Sequence, residues 1–122
     1  MAQGNYMQWS DLKVWKQAHT LVLEIYSITS SFPRSEIYGI TNQLRRASSS
    51  VAANIVEGQA RNSTKDYINF LYTSRGSLEE TRYFLLLSRD LNYVSSETYN
   101  KIEAISLTVS KMLNGLIASL KA

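Results

Sequence analysis

Gln43-Leu44-Arg45-Arg46-Ala47 and Asn54-Ile55-Val56-Glu57-Gly58, with Arg61 just beyond, form the stretch whose spacing decides how this chain folds. Leu44, Ala47, Val51 and Ile55 recur at three- and four-residue intervals, which puts them on one face of a helix at 3.6 residues per turn. Arg46, Ser50, Asn54, Glu57 and Arg61 recur at the same intervals, so they stand as a polar ridge beside that apolar stripe. Gln43 and Glu36 continue the ridge toward the N-terminus. A helix built for packing alone has no need of such a row. No alternation of period two competes with the helical reading.

The same helical period extends to both sides. Phe32-Pro33 stops a first helix predicted over residues 11–31, because the residue before proline is pushed out of helical geometry. The ridge helix follows over 35–60. Asn62 and Ser63 interrupt the chain, and Ser63 with Asp66 offers a cap for a third helix over 64–91. Residues 92–95 form a turn, Ser95 or Ser96 caps a fourth helix over 96–120, and Glu97 sits favourably in its first turn. Four long helices on short connections predict an all-α, antiparallel up-down-up-down four-helix bundle, one domain over residues 1–122. The predicted core stripe of the second helix is Ile37, Ile40, Leu44, Ala47, Val51 and Ile55. The third helix offers Tyr67, Leu71, Ser74, Leu78, Thr81 and Leu85, and the fourth Tyr99, Ile102, Ile105, Val109, Met112, Leu116 and Leu120.

Composition narrows the function classes. The chain contains no cysteine, which excludes disulfides, thiolate metal sites and a cysteine nucleophile, and fits a reducing cytosol. The first ten residues hold no apolar leader core. The longest apolar run, residues 83–87, falls far short of the ~20 residues that a membrane span needs. The expectation is a soluble cytoplasmic protein with no membrane role. A net charge of +3 is spread evenly along the chain without a basic tail, which permits nucleic-acid contact and does not demand it.

Two helices carry more apolar surface than one subunit needs. The first holds one stripe of Leu12, Trp15, His19, Val22 and Tyr26 and a second of Val14, Ala18, Leu21, Ile25, Ile28 and Phe32. Together they cover roughly 200° of arc, against the ≳100° of a core-facing stripe. The third helix shows the same excess at Tyr83-Phe84-Leu85-Leu86-Leu87. Gly76 in mid-helix costs about 1 kcal/mol relative to alanine, and a glycine admits a close neighbour. The expectation is a self-associating protein whose subunit interface includes Val14, Leu21, Ile28, Tyr72, Gly76, Tyr83 and Leu87.

These segments also resemble a known family, the 23S rRNA intervening-sequence proteins. The resemblance runs from about Trp9 to Leu120. It is carried by Asp11-Leu12-Lys13-Val14-Trp15, Phe32-Pro33, Tyr38-Gly39, Gln43-Leu44-Arg45-Arg46, Asn54-Ile55-Val56-Glu57-Gly58, Arg61 and Gly76-Ser77-Leu78-Glu79-Glu80. It implies a four-helix bundle assembled as a ring, a homopentamer, with no established activity and with nucleic-acid binding as the usual suspicion. A related group of pentameric bundles with a basic surface serves as accessory to the reverse transcriptase of diversity-generating retroelements. The signature positions carried over are Glu36, Arg45, Arg46, Asn54, Glu57, Gly58 and Arg61. The chain departs from the common pattern at Ser48, Ser49 and Ser74, where alanine is frequent, which bears more on function than on fold.

For the ridge residues Glu36, Arg46, Asn54, Glu57 and Arg61, a structural role in fixing register is weighed above contact with phosphate or a base. The candidate nucleic-acid contacts are Lys13 and Lys16, Arg45, and the line of Arg75, Arg82 and Arg89 at seven-residue spacing. Successive guanidiniums of that line stand ~10.5 Å apart at 1.5 Å per residue. Repeated around a ring, such a set would bind RNA or DNA; the competing expectation is an adaptor oligomer whose arginines serve its own interfaces. No metal, cofactor or enzymatic activity is expected. His19 is the one histidine and lies on an apolar stripe, no Glu-x-x-His pair exists for a di-metal bundle, and the glycines are too scattered for a phosphate loop.

Overall fold

The computed structural model describes residues 7–122, so the first six residues, part of the segment read as lacking a leader core, lie outside it. Four helices follow in order: α1 Lys13–Thr29, α2 Ile40–Gln59, α3 Thr64–Asp90 and α4 Ser96–Lys121. A short 3-10 turn, Trp9–Asp11, leads into α1, and a second, Arg34–Glu36, precedes α2. Ser63 caps α3 by accepting from the Asp66 amide at 3.0 Å, and Ser95 caps α4 by accepting from Thr98 at 3.1 Å. Each satisfies an amide that the first helical turn leaves without an intrahelical partner.

Each helix packs on the one that follows it in sequence, and α4 closes back onto α1. Among the described residues no diagonal pair, α1 with α3 or α2 with α4, is in contact. That is the packing of an up-down-up-down four-helix bundle. The fully buried centre comprises Leu21, Ile25, Leu44, Val51, Ile55, Leu71, Leu78, Leu85, Ile102, Val109 and Leu113. Buried hydroxyls are satisfied locally, as where Ser106 donates to the Ile102 carbonyl at 3.1 Å. Ser74 instead donates across the seam to Val51 O at 2.7 Å, tying α3 to the backbone of α2. Small side chains here let the two helices approach closely.

Three expectations change. The helix expected over 35–60 begins only at Ile40, because residues 34–36 form the 3-10 turn and Gly39 adopts a non-helical backbone (φ −110°, ψ −121°). The break turns Ile37 out to 53% exposure, so it leaves the core stripe. On α4 the stripe is centred on Ile102, Ser106, Val109, Leu113 and Ile117, while Ile105, Met112, Leu116 and Leu120 are partly buried along its edge. Both flanks of α4 are covered, one by α1 and one by α3, which moves the deepest line away from the row of largest side chains.

The third change concerns α1. Val14, Ala18, Leu21 and Ile25 are buried inside the chain's own core, with Leu21 wholly inaccessible. Val14 and Leu21 therefore cannot form a subunit interface, and Ile28 packs against the same core. The stripe of Leu12, Trp15, His19, Val22 and Tyr26 is the one left at the edge, with His19 and Tyr26 exposed.

Candidate functional site

The polar ridge falls at the seam between α2 and α3, where it divides into separate contacts. Arg46 Nη2 donates to Glu80 Oε2 at 3.1 Å and to Gln43 Oε1 at 2.8 Å. Ser50 and Ser77 share a hydrogen bond of 2.9 Å across the same seam. Asn54 turns back on its own helix, its amide donating to Ser50 O at 2.8 Å and Ser50 Oγ at 3.0 Å. Arg61 pairs with Glu57 at 3.1 Å and lies over the Phe70 ring at 4.6 Å. Glu36 stands apart at the end of the bundle. One carboxylate oxygen accepts from the Ile40 amide at 3.2 Å and the other from Tyr93 OH at 2.8 Å, so it caps α2 and ties it to the α3–α4 turn. That hydrogen bond raises the pKa of the Tyr93 phenol. Arg46–Glu80, Ser50–Ser77 and Arg61 over Phe70 cross from α2 to α3, while the Arg46, Arg61 and Glu57 side chains stay 54%, 46% and 58% exposed.

The six candidate cations divide sharply. Arg82 Nε and Nη2 donate to the two oxygens of Glu103 at 3.1 and 2.8 Å, and Nη1 donates to Glu79 at 2.9 Å. The Glu103 hydrogen bond, above all, holds its guanidinium pKa above the ordinary arginine value, outweighing burial. Arg82 is a clamp between α3 and α4 and has no fork left for phosphate, which corrects its place in the expected cationic line. Replacing Arg82 with methionine is expected to cost about 1–2 kcal/mol, the worth of charge-assisted bonds discounted for partial exposure, because Glu103 is left half-buried without a partner. Urea unfolding of Arg82→Met beside Arg82→Met/Glu103→Gln checks this, since the double variant should recover part of the loss.

Arg89 pairs with Asp90 at 3.1 Å and covers the Tyr99 ring at 4.6 Å. Arg75 and Arg45 differ, because neither pairs with a carboxylate among the described residues. Arg45 Nε donates to Thr29 Oγ1 at 2.8 Å and its guanidinium lies 4.7 Å over Tyr26, so it bridges the α1–α2 seam. Arg75 Nη1 donates to Asn114 Oδ1 at 3.0 Å above Tyr72. Lys13 and Lys16 are exposed on α1 and take part in no ion pair among the described residues. The structure thus places Arg75, Arg82 and Arg89 along the α3–α4 seam, Arg45 at the α1–α2 seam and Lys13 and Lys16 on the open face of α1, and does not gather the six into one patch.

A family model described as 23S rRNA-intervening sequence protein matches residues 10–115, nearly the whole bundle. The chain belongs to that family. Comparison of this intervening-sequence protein with curated proteins returns no match. Among solved structures it is similar to a protein of unknown function from the S23 ribosomal protein family of Bacteroides thetaiotaomicron, with 26% identity and a TM-score of 0.77. The likeness covers 85% of this chain and 97% of that one.

In this intervening-sequence protein the outer surface keeps several apolar features. Tyr83 is 58% exposed on α3, and a Cβ built on the nearby Gly76 would meet nothing within 4 Å. Leu87 is partly buried against the core. Tyr72, expected on the same docking face, is engaged instead by cations at the α3–α4 seam. A shallow apolar cleft of about 270 Å³ lies between the start of α1 and the end of α4, lined by Leu12, Val14, Met112 and Leu116 with Lys13 at its edge. No helix among the described residues is long and apolar enough to cross a membrane. Sequence reasoning missed Glu103, Asn114 and Lys121. Nothing in the spacing along α4 says which α3 residue each will face, since that depends on how the two helices slide past one another.

Proposed function

We propose that this chain is a non-enzymatic, ring-forming subunit that binds RNA through basic helix surfaces repeated around the ring. The observation that carries the reading is the uneven pairing of charge. Glu24, Glu57, Glu79, Glu80, Asp90 and Glu103 are taken up by ion pairs, while the exposed Lys13 and Lys16 and the part-buried Arg45 and Arg75 are in none among the described residues. Of the remaining acids, Asp66 and Glu97 sit in the first turns of α3 and α4, where they complement the positive helix ends, and Asp11 and Glu36 accept from the Gln8 and Ile40 amides. Surplus positive charge is left on the surface for an external polyanion.

Self-association is supported by Gly76. A mid-helix glycine costs about 1 kcal/mol relative to alanine, yet no part of its own subunit uses the space above it. A second copy approaching there, beside Tyr83, supplies a use. A homopentamer follows the family resemblance, and a ring multiplies each exposed cation into a band. Catalysis has no part in this reading: His19 lies flat on Trp15, ring centroids 5.0 Å apart, on the exposed flank of α1.

Filter retention of RNA across a salt series, with light scattering on the same samples, tests the proposal. Wild type should be an oligomer whose affinity falls steeply with salt. Lys13→Glu/Lys16→Glu should keep the oligomeric mass and lose roughly tenfold in affinity, with a shallower salt slope, about 0.7 less per lost single-strand contact. Salt-independent retention, or a monomer in solution, defeats it. An adaptor role toward a protein partner is favoured by a different feature, the apolar tip at the end of α1 and α2, where Tyr38 is 92% exposed next to Ile37. An intact oligomer that retains no RNA would turn the assignment that way.

A further inference from the structure

Tyr72, Arg75, Asn114 and Lys121 meet on the open side of the α3–α4 seam, toward the C-terminal end of α4. We infer that this cluster is a phosphate-binding site, and that the phosphodiester backbone of single-stranded RNA is its ligand. The choice of RNA rests on the function proposed above; the anion chemistry does not.

Two cations flank Tyr72, Arg75 at its ring and Lys121 beyond its hydroxyl. The Arg75 guanidinium lies 4.9 Å from the Tyr72 centroid and Lys121 Nζ lies 6.0 Å from it. Lys121 Nζ also donates to Tyr72 OH at 3.2 Å. Neither cation pairs with a carboxylate among the described residues, and the nearby Glu79 and Glu103 both engage Arg82. The clamp described above is what leaves Arg75 and Lys121 uncompensated.

Hydrogen-bond accounting gives the ligand's chemistry. Arg75 can only donate, so it fixes the Asn114 amide with Oδ1 turned toward it and the NH2 turned away. The phenol oxygen of Tyr72 accepts from Lys121, which leaves its O–H to donate outward. The acceptors of the cluster are therefore spent on one another. What faces outward are donors: Arg75 Nε and Nη2, the Asn114 amide, the Lys121 ammonium and the Tyr72 hydroxyl. A donor-only surface carrying two positive charges repels cations and takes anions. A phosphodiester backbone, whose charged groups recur along one strand, offers an anionic acceptor to each cation.

The test uses the whole protein and two probes, inorganic pyrophosphate followed by NMR and a fluorescent oligouridylate followed by anisotropy. Pyrophosphate should shift the Asn114 side-chain amide and Arg75 Nε resonances in wild type, and should leave the Asn114 amide unmoved in Arg75→Gln/Lys121→Gln. The same variant should bind oligouridylate at least tenfold more weakly, with a salt slope smaller by about 1.4 for two lost single-strand contacts. Arg75→Lys, which keeps the charge without the fork, should recover part of the loss. Unchanged melting temperatures show that these exposed substitutions leave the bundle intact. Pyrophosphate shifts without RNA binding by wild type would keep the site, as one for a free phosphate compound, and sink RNA as the ligand. Oligouridylate affinity equal in wild type and double variant would overturn the site while leaving RNA binding elsewhere on the protein. The absence of both effects would overturn both.

Discussion

Replacing Leu21 with alanine is expected to lower stability by about 2–5 kcal/mol, the range for truncating a leucine whose site cannot collapse. Leu21 has no accessible surface, and it sits in one contiguous cluster with Ile25, Leu44, Ile55 and Ile102 drawn from three helices. Each of those neighbours is held by its own helix, so the removed atoms leave a cavity as well as a lost transfer term. Leu23, two residues on, supplies the contrast. It is 57% exposed, and Leu23→Ala should stay within about 0.5 kcal/mol. Urea titrations at one fixed protein concentration measure both, since assembly would otherwise move the midpoints. Equal, small shifts for the two variants would return Leu21 to the surface, where its sequence pattern alone also allowed it.

The second large effect is expected at Gly58. A Cβ built there would stand 2.8 Å from Phe70 Cβ, 3.0 Å from Tyr67 Cδ1 and 3.2 Å from the Tyr67 carbonyl oxygen. Two of those atoms belong to the α3 main chain or sit directly on it, so no rotamer change relieves the clash. Gly58→Ala should therefore force α2 and α3 apart and cost about 1–3 kcal/mol, although alanine is the better helix former by about 1 kcal/mol. Gly76→Ala is the internal control. With nothing of its own subunit within 4 Å of its Cβ, the propensity gain stands alone in the dissociated subunit, which should become more stable at protein concentrations low enough to keep copies apart. Thermal unfolding of the two variants side by side reads the opposite signs. A Gly58→Ala protein as stable as wild type would mean that the α2–α3 seam is looser than its geometry indicates.

The two glycines show how far the chain could be read from its residues. Both lie within helical patterns, and nothing in the spacing distinguishes one that a neighbouring helix presses from one that faces outward. Periodicity reports which residues share a face, and it placed Leu71, Ser74, Leu78, Thr81 and Leu85 in the buried line of α3, while Tyr67 at the start of that stripe is only partly buried and the buried Ser88 was not included. On α1 two apolar stripes of similar strength were available, and assigning Val14, Leu21 and Ile28 to a subunit interface took the wrong one outward. Packing against α2 and α4 chose Val14, Ala18, Leu21 and Ile25. The cations tell the same story. Arg75, Arg82 and Arg89 look equivalent at seven-residue intervals, yet Glu103 reaches Arg82 alone, and that one contact from α4 separates a structural clamp from a candidate ligand site.

The helical period, the proline and serine boundaries and the absence of any strand pattern determined by themselves that this chain would be four helices in a bundle, and its short motifs already pointed to the family. Those signals are local, each confined to a few turns of one helix. Which stripe of α1 is buried, which glycine is pressed and which arginine is neutralised were decided only in the tertiary structure. Each depends on the sliding and rotation of one helix against another. That register comes from the sum of many packing contacts and from cross-helix partners such as Arg82 and Glu103, which lie far apart along the chain.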